Sequence, residues 1–67
     1  MIPKIGDRVR IVGAMINDPR PMEIGTEGTV AGIGPTLMVF QGTTQIDVVW
    51  DNRRRLILLS CDPFIIV

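Results

Sequence analysis

The chain has no histidine and no tyrosine, a single cysteine, one tryptophan and two phenylalanines, and its 67 residues carry no net charge. Without histidine there is no imidazole to serve as a general base or triad member. With one thiol, Cys61, an internal disulfide is excluded, and so is a four-ligand nitrogen–sulfur zinc site; no metal and no cofactor are expected. Cys61 stands just before Asp62 and Pro63 and reads as a small turn residue, since no base accompanies it in the pattern to activate its thiol. The carboxylates of Asp7, Glu27, Asp47 and Asp51 read as solvent-facing or turn-capping groups rather than an acid–base pair. No acid, base and nucleophile set assembles, so the expectation is a protein that is not an enzyme. The shortage of aromatics argues against a single-strand nucleic-acid platform, which needs several stacking rings. Seven basic side chains offset by seven acidic ones leave no generic pull toward nucleic acid. No apolar run reaches the length of a membrane span, and the first residues lack the apolar core of a signal peptide, so a cytoplasmic setting away from the membrane is expected.

Present instead are seven glycines and five prolines spread along the chain, and they interrupt every stretch long enough for a helix. Between them the pattern has period two. Asp7 to Val12 alternates, with Val9 and Ile11 on one face and Arg8 and Arg10 on the other. Ile5 adds to the core through a bend at Gly6. Gly13 to Ile24, with Asn17, Asp18, Pro19 and Pro21, is a long irregular connection, a length often associated with binding loops. Glu27 to Ile33 is the second strand, entered through Gly25 and Gly28, which supply conformations or close contacts that a Cβ forbids. Gly34-Pro35 is a turn. Leu37 to Gln41 and Gln45 to Trp50 are strands of a hairpin tipped by Gly42 to Thr44. Along the latter, Ile46, Val48 and Trp50 share one face, and Trp50 belongs to the core. A turn at Asp51 to Arg53 leads to a strand from Arg54 to Leu59, a turn from Ser60 to Pro63, and a last strand, Phe64 to Val67. These short strands and turn signals indicate an all-β fold, a small SH3-like antiparallel β-barrel of five to six short strands in one domain.

The runs Gly6 to Arg10, Asn17 to Pro19, Ile24 to Val30 and Trp50 to Asn52, followed by Arg54, Leu56 and Phe64, resemble a family of small phage and bacterial domains, SH3-like or KOW-like, catalogued as domain of unknown function 4314. The resemblance spans most of the chain, and its motifs specify fold more than activity. It implies a small binding protein, phage- or mobile-element-derived. Three features depart from the family pattern. Arg53 stands where glycine is usual, Pro35 to Gln45 lengthens a hairpin, and Ile65 occupies a position that is commonly polar.

Candidate binding residues fall into three groups. Arg53, Arg54 and Arg55 place three guanidinium groups at one turn, whose forked donors match phosphate or carboxylate; with Arg8, Arg10 and Lys4 they form a candidate basic patch for an anionic ligand. Asn17, Asp18, Arg20 and Met22 are the candidate partner-contacting residues of the long loop. Phe64, Ile65, Ile66 and Val67, with Ile57, are apolar on both faces of their strands, which points to coverage by a second copy and hence to a homo-oligomer. The functional expectation is a binding module engaging a protein or nucleic-acid partner through the 13–24 loop and the 53–55 turn. Two alternatives stand beside it: a counter-defence protein that sequesters an anionic nucleotide or inhibits a host nuclease complex, and a structural subunit of a phage particle.

Overall fold

The computed structural model describes residues 2–16, 18–37 and 42–67. Asn17 of the candidate loop residues, and most of the expected strand from Leu37 to Gln41, lie outside them. The fold is all-β. Five antiparallel strands form one sheet: β1 (Arg8–Ile11), β2 (Glu27–Leu37), β3 (Thr43–Trp50), β4 (Leu58–Leu59) and β5 (Phe64–Ile66). Their order, β4-β3-β2-β1-β5, is SH3-like, with the long β2 carrying both halves of the molecule. β4 and β5 end the order, and no ladder joins them among the described residues. No helix there is long and apolar enough to cross a membrane.

Alternation works as the sequence indicates. Val9 and Ile11 are fully buried while Arg8 and Arg10 lie on the opposite face. Ile46 and Trp50 are buried with Val48 packed against them, and Asp47 and Val49 are exposed. The core also holds Val30 and Leu58, together with Met15 and Met22 from the long connection. That connection is therefore a lid on the core as well as a surface loop. Two unbranched thioether side chains suit it, because they fill gaps that an irregular backbone leaves. Ile5 does not join the core; it is exposed beside the turn at Gly6.

Gly28 shows why the second strand begins with glycine. Its φ is not positive. It pairs with Trp50 across the ladder, and a Cβ there would stand 2.5 Å from Val48 Cγ1, 2.8 Å from the Val49 carbonyl oxygen and 3.0 Å from Trp50 Cε3. The space belongs to the indole and its neighbours. Gly25, by contrast, has a φ of 93°, the left-handed region that glycine enters freely.

Three local expectations change, the first being that Thr43 and Thr44, expected at a hairpin tip, lie in β3 and pair with Leu37 and Thr36 of β2. Gly34-Pro35 is not a turn between strands but lies within β2, where the β2–β3 register shifts between Ile33 and Thr36. A bulge tolerates proline because the ladder does not need its missing N–H there. Nor is the segment from Arg54 to Leu59 one strand, since only Leu58 and Leu59 pair with β3, opposite Ile46 and Gln45. The turn closes with Arg53 N–H donating to the Trp50 carbonyl at 3.0 Å. From Trp50 back to Ile46 is four steps, and from Arg53 on to Leu58 is five. The return arm holds one residue too many for a ladder and bulges away from β3.

Candidate ligand-binding groove

Beside the bulge lies a groove of about 580 Å³ between Asp47 to Trp50 and Arg53 to Ile57. Val48, Val49, Leu56 and Ile57 supply its apolar surface, and Arg53 and Arg55 stand exposed at its rim. Trp50 lines it only from within the core. Its indole is 2% exposed, and Nε1–H donates to the Leu56 carbonyl at 2.9 Å. That bond satisfies the one polar atom of a buried ring and pins the bulged arm to the core.

Arg53 adopts a φ of 66°, in the left-handed region that glycine enters freely. Asn52 closes the turn, its Oδ1 accepting the Arg54 N–H at 3.0 Å, while its Nδ2–H donates to Met22 Sδ at 3.2 Å. Arg54 is bound to the long loop. Its Nη1 donates to the Pro21 carbonyl at 2.8 Å and its Nη2 to the Arg20 carbonyl at 2.6 Å. One guanidinium fork thus fastens the arginine turn to the long loop. Asp18, Arg20, Arg54, Arg55 and Leu56 line a second, adjoining depression across that junction.

Four of the six arginines separate into two sets. Arg10 faces Glu27 in the β1–β2 register, and its Nε lies 2.9 Å from Glu27 Oε2. Arg8 reaches Asp51 with both terminal nitrogens, at 2.9 Å and 2.6 Å, and also contacts Glu27 at 3.2 Å and Thr29 at 3.1 Å. Hydrogen bonds from Arg10 hold the Glu27 carboxyl below its ordinary range, and those from Arg8 do the same for Asp51. The expected single basic patch is therefore not assembled. Arg8 and Arg10 form a balanced ion network with two carboxylates, whereas Arg53 and Arg55 have no ion pair among the described residues. Asp51, adjacent to the arginine turn in sequence, is paired with Arg8.

Among the loop residues, Asp18 Oδ1 accepts the Arg20 N–H at 2.9 Å in a local turn, and Arg20 is exposed. Met22 is not available for contact, because 98% of its surface is covered by the core. Lys4 is exposed, its backbone N–H donating to Asp7. The expected apolar interface set also divides. Ile57 lines the groove, while Phe64 to Val67 form β5 and its end, with Phe64 and Ile66 packed on the core and Ile65 and Val67 exposed. Cys61 is an exposed free thiol in a turn. Asp62 accepts the Leu59 N–H at 2.8 Å, and burial pushes its carboxyl above the ordinary range.

Sequence reasoning missed Glu27 as the hub of the ion network. Its place opposite Arg10 depends on strand register, which alternation alone does not supply. The loop carbonyls of Arg20 and Pro21 were equally invisible, since backbone acceptors leave no mark in residue types. Comparison with protein-family models, with curated proteins and with solved structures gives no match.

Proposed function

We propose that this protein is a non-enzymatic binding module whose ligand-facing surface is the arginine turn together with the long loop. One observation carries the reading: the paired hydrogen bonds from Arg54 to the carbonyls of Arg20 and Pro21. They make one continuous surface of two segments more than thirty residues apart. They also spend Arg54 on holding the surface together, leaving Arg53 and Arg55 to face a ligand. An apolar groove with two uncommitted guanidinium groups at its rim suits an extended protein segment that carries an apolar side chain beside carboxylates. Nucleic acid is the weaker fit, because the only tryptophan is buried and no exposed ring lies in the groove for base stacking.

The groove volume also falls in the range of small-molecule sites, which supports a second reading, capture of an anionic nucleotide in a counter-defence role. The resemblance of the runs around Gly6, Gly25 and Trp50 to small phage domains favours a phage-derived protein under either reading.

The test compares wild type with the Arg53→Ala/Arg55→Ala double variant in titrations against three probes: a labelled peptide of glutamates around a central leucine, a duplex DNA oligonucleotide and a nucleoside diphosphate. Peptide binding that falls at least tenfold in the variant supports the proposal. Selective binding of the nucleotide moves the assignment to the second reading. DNA binding whose logarithmic salt slope falls by about 0.9 per lost phosphate contact identifies a nucleic-acid partner. Binding that is equal in both proteins, or absent in both, overturns the groove as the site.

A further inference from the structure

The unclaimed feature of the molecule is the outer edge of β5, and its hydrogen-bond parity is legible. Val12 N–H donates to the Pro63 carbonyl and Val67 N–H to the Arg8 carbonyl, both at 2.9 Å. In the β1–β5 register, Val9 faces Ile66, Arg10 faces Ile65 and Ile11 faces Phe64. The bonded pairs of this antiparallel ladder are therefore Val12 with Pro63, Arg10 with Ile65, and Arg8 with Val67. The intervening residues, Phe64 and Ile66, direct their backbone groups away from β1. Phe64 N–H turns back to the Asp62 carbonyl at 3.0 Å. The N–H and C=O of Ile66 face off the end of the sheet, a donor and acceptor set for another strand.

Side chains around Ile66 match that set. Ile65 and Val67 project from the outer face and are 44% and 49% exposed. An antiparallel strand centred on Ile66 of a second copy bonds Ile66 to its twin. It then sets Ile65 opposite the twin's Val67, and Val67 opposite the twin's Ile65, in the close non-bonded pairs where side chains touch. The segment is complementary to itself under a two-fold axis, as an isologous interface requires.

Charge permits the approach. Exposed edges are commonly guarded by a lysine or another charge, and Phe64 to Val67 contain none. The nearest cations on the outer face, Arg8 and Arg10, are drawn toward β2 and β3 by Glu27 and Asp51 and are neutralised there. The two faces that meet are thus apolar at the centre, and the flanking Arg8 and Arg10 are paired within each copy.

We propose that β5 is a homodimer interface, a continuous antiparallel sheet joined at Ile66 of each copy. This goes beyond the binding function and leaves the arginine groove free, since the groove lies at the β3–β4 side of the sheet order. A three-residue strand buries less area than the roughly 1,200–2,000 Å² of a stable complex, so the dimer is concentration-dependent.

Two measurements test it. Sedimentation of the wild-type protein across micromolar to high-micromolar concentration should show a monomer–dimer equilibrium. Ile65→Lys should return the protein to monomer at concentrations where the parent is dimeric, with unchanged Trp50 fluorescence reporting an intact core. For register, chains with Cys61→Ser carry either Ile65→Cys or Val67→Cys. Mixed and oxidised, they should give a 65-to-67 crosslink well above the 65-to-65 and 67-to-67 products. A wild-type protein monomeric throughout, an Ile65→Lys variant that dimerises like its parent, or crosslinks without preference for the mixed pair would each overturn the proposal. Monomers that bind an added β-strand peptide at this edge would show instead that the edge serves another protein. Groove binding is read separately with the acidic peptide, so failure here does not touch it.

Discussion

Replacing Gly28 with alanine adds one methyl group, and the structure says where it goes. The new Cβ would lie 2.5 Å from Val48 Cγ1, 2.8 Å from the Val49 carbonyl oxygen and 3.0 Å from Trp50 Cε3. The Val49 oxygen is backbone held in the β2–β3 ladder and cannot step aside alone. Val48 packs against the core, and the Trp50 indole is tied to Leu56 through Nε1. Relief requires either that β2 and β3 separate or that the indole tilts and loses its hydrogen bond. Forcing an extra carbon into a packed site costs about 1–3 kcal/mol, a large part of the roughly 3–10 kcal/mol available to a chain of this length. At about 4–8 °C per kcal/mol for a small domain, the melting temperature should fall by roughly 5–20 °C. Thermal unfolding followed by circular dichroism and by Trp50 fluorescence measures this. Gly32→Ala is the control, because its Cβ meets the Asp47 side chain at ordinary distances, 3.5 Å to Cβ and 3.8 Å to Oδ2, and it should move the midpoint little. Equal midpoints for Gly28→Ala and wild type would refute the close-packing argument.

The remaining predictions concern the turn and the ion network. Arg53→Gly should raise the denaturant midpoint without changing the slope, by roughly 0.5 kcal/mol: removing a left-handed side chain relieves about 1–2 kcal/mol, and glycine returns part of that through its looser unfolded chain. A midpoint that falls would show that the Arg53 side chain stabilises the turn despite its φ of 66°. Glu27 and Asp51 titrate below their ordinary values because arginines hydrogen-bond their charged forms. Their contribution is therefore complete above the ordinary carboxylate range, and it is lost as pH falls through the lowered folded values. Asp51→Asn should lower stability at neutral pH and flatten the acid limb of a stability–pH profile. An acid limb unchanged in shape would mean that the Arg8–Asp51 pair does not couple to folding.

The alternation of Val9 with Arg8 and Arg10, and of Ile46 and Trp50 with Asp47 and Val49, was written in residue types, because a strand places successive side chains on opposite faces whatever lies beside it. The same local logic located the turn at Asp51 to Arg53 and a last strand at Phe64 to Val67, while which of its side chains face the core came from the structure. Local logic erred where the outcome depended on two segments at once. Pro35 reads locally as a turn, yet a register shift against β3 absorbs it. The run from Arg54 to Leu59 reads as a strand, yet one surplus residue against β3 makes it bulge beside the groove. Met22 reads as a loop residue, yet the core had room for it. Above all, seven positive and seven negative charges give zero on any count, and only tertiary pairing divides them. Register sets Arg10 against Glu27, and the fold brings Arg8 to Asp51 across 43 residues, while Arg53 and Arg55 keep their charge at the groove. Composition determines how much charge there is; which charges cancel is a matter of distance, and distance belongs to the folded chain.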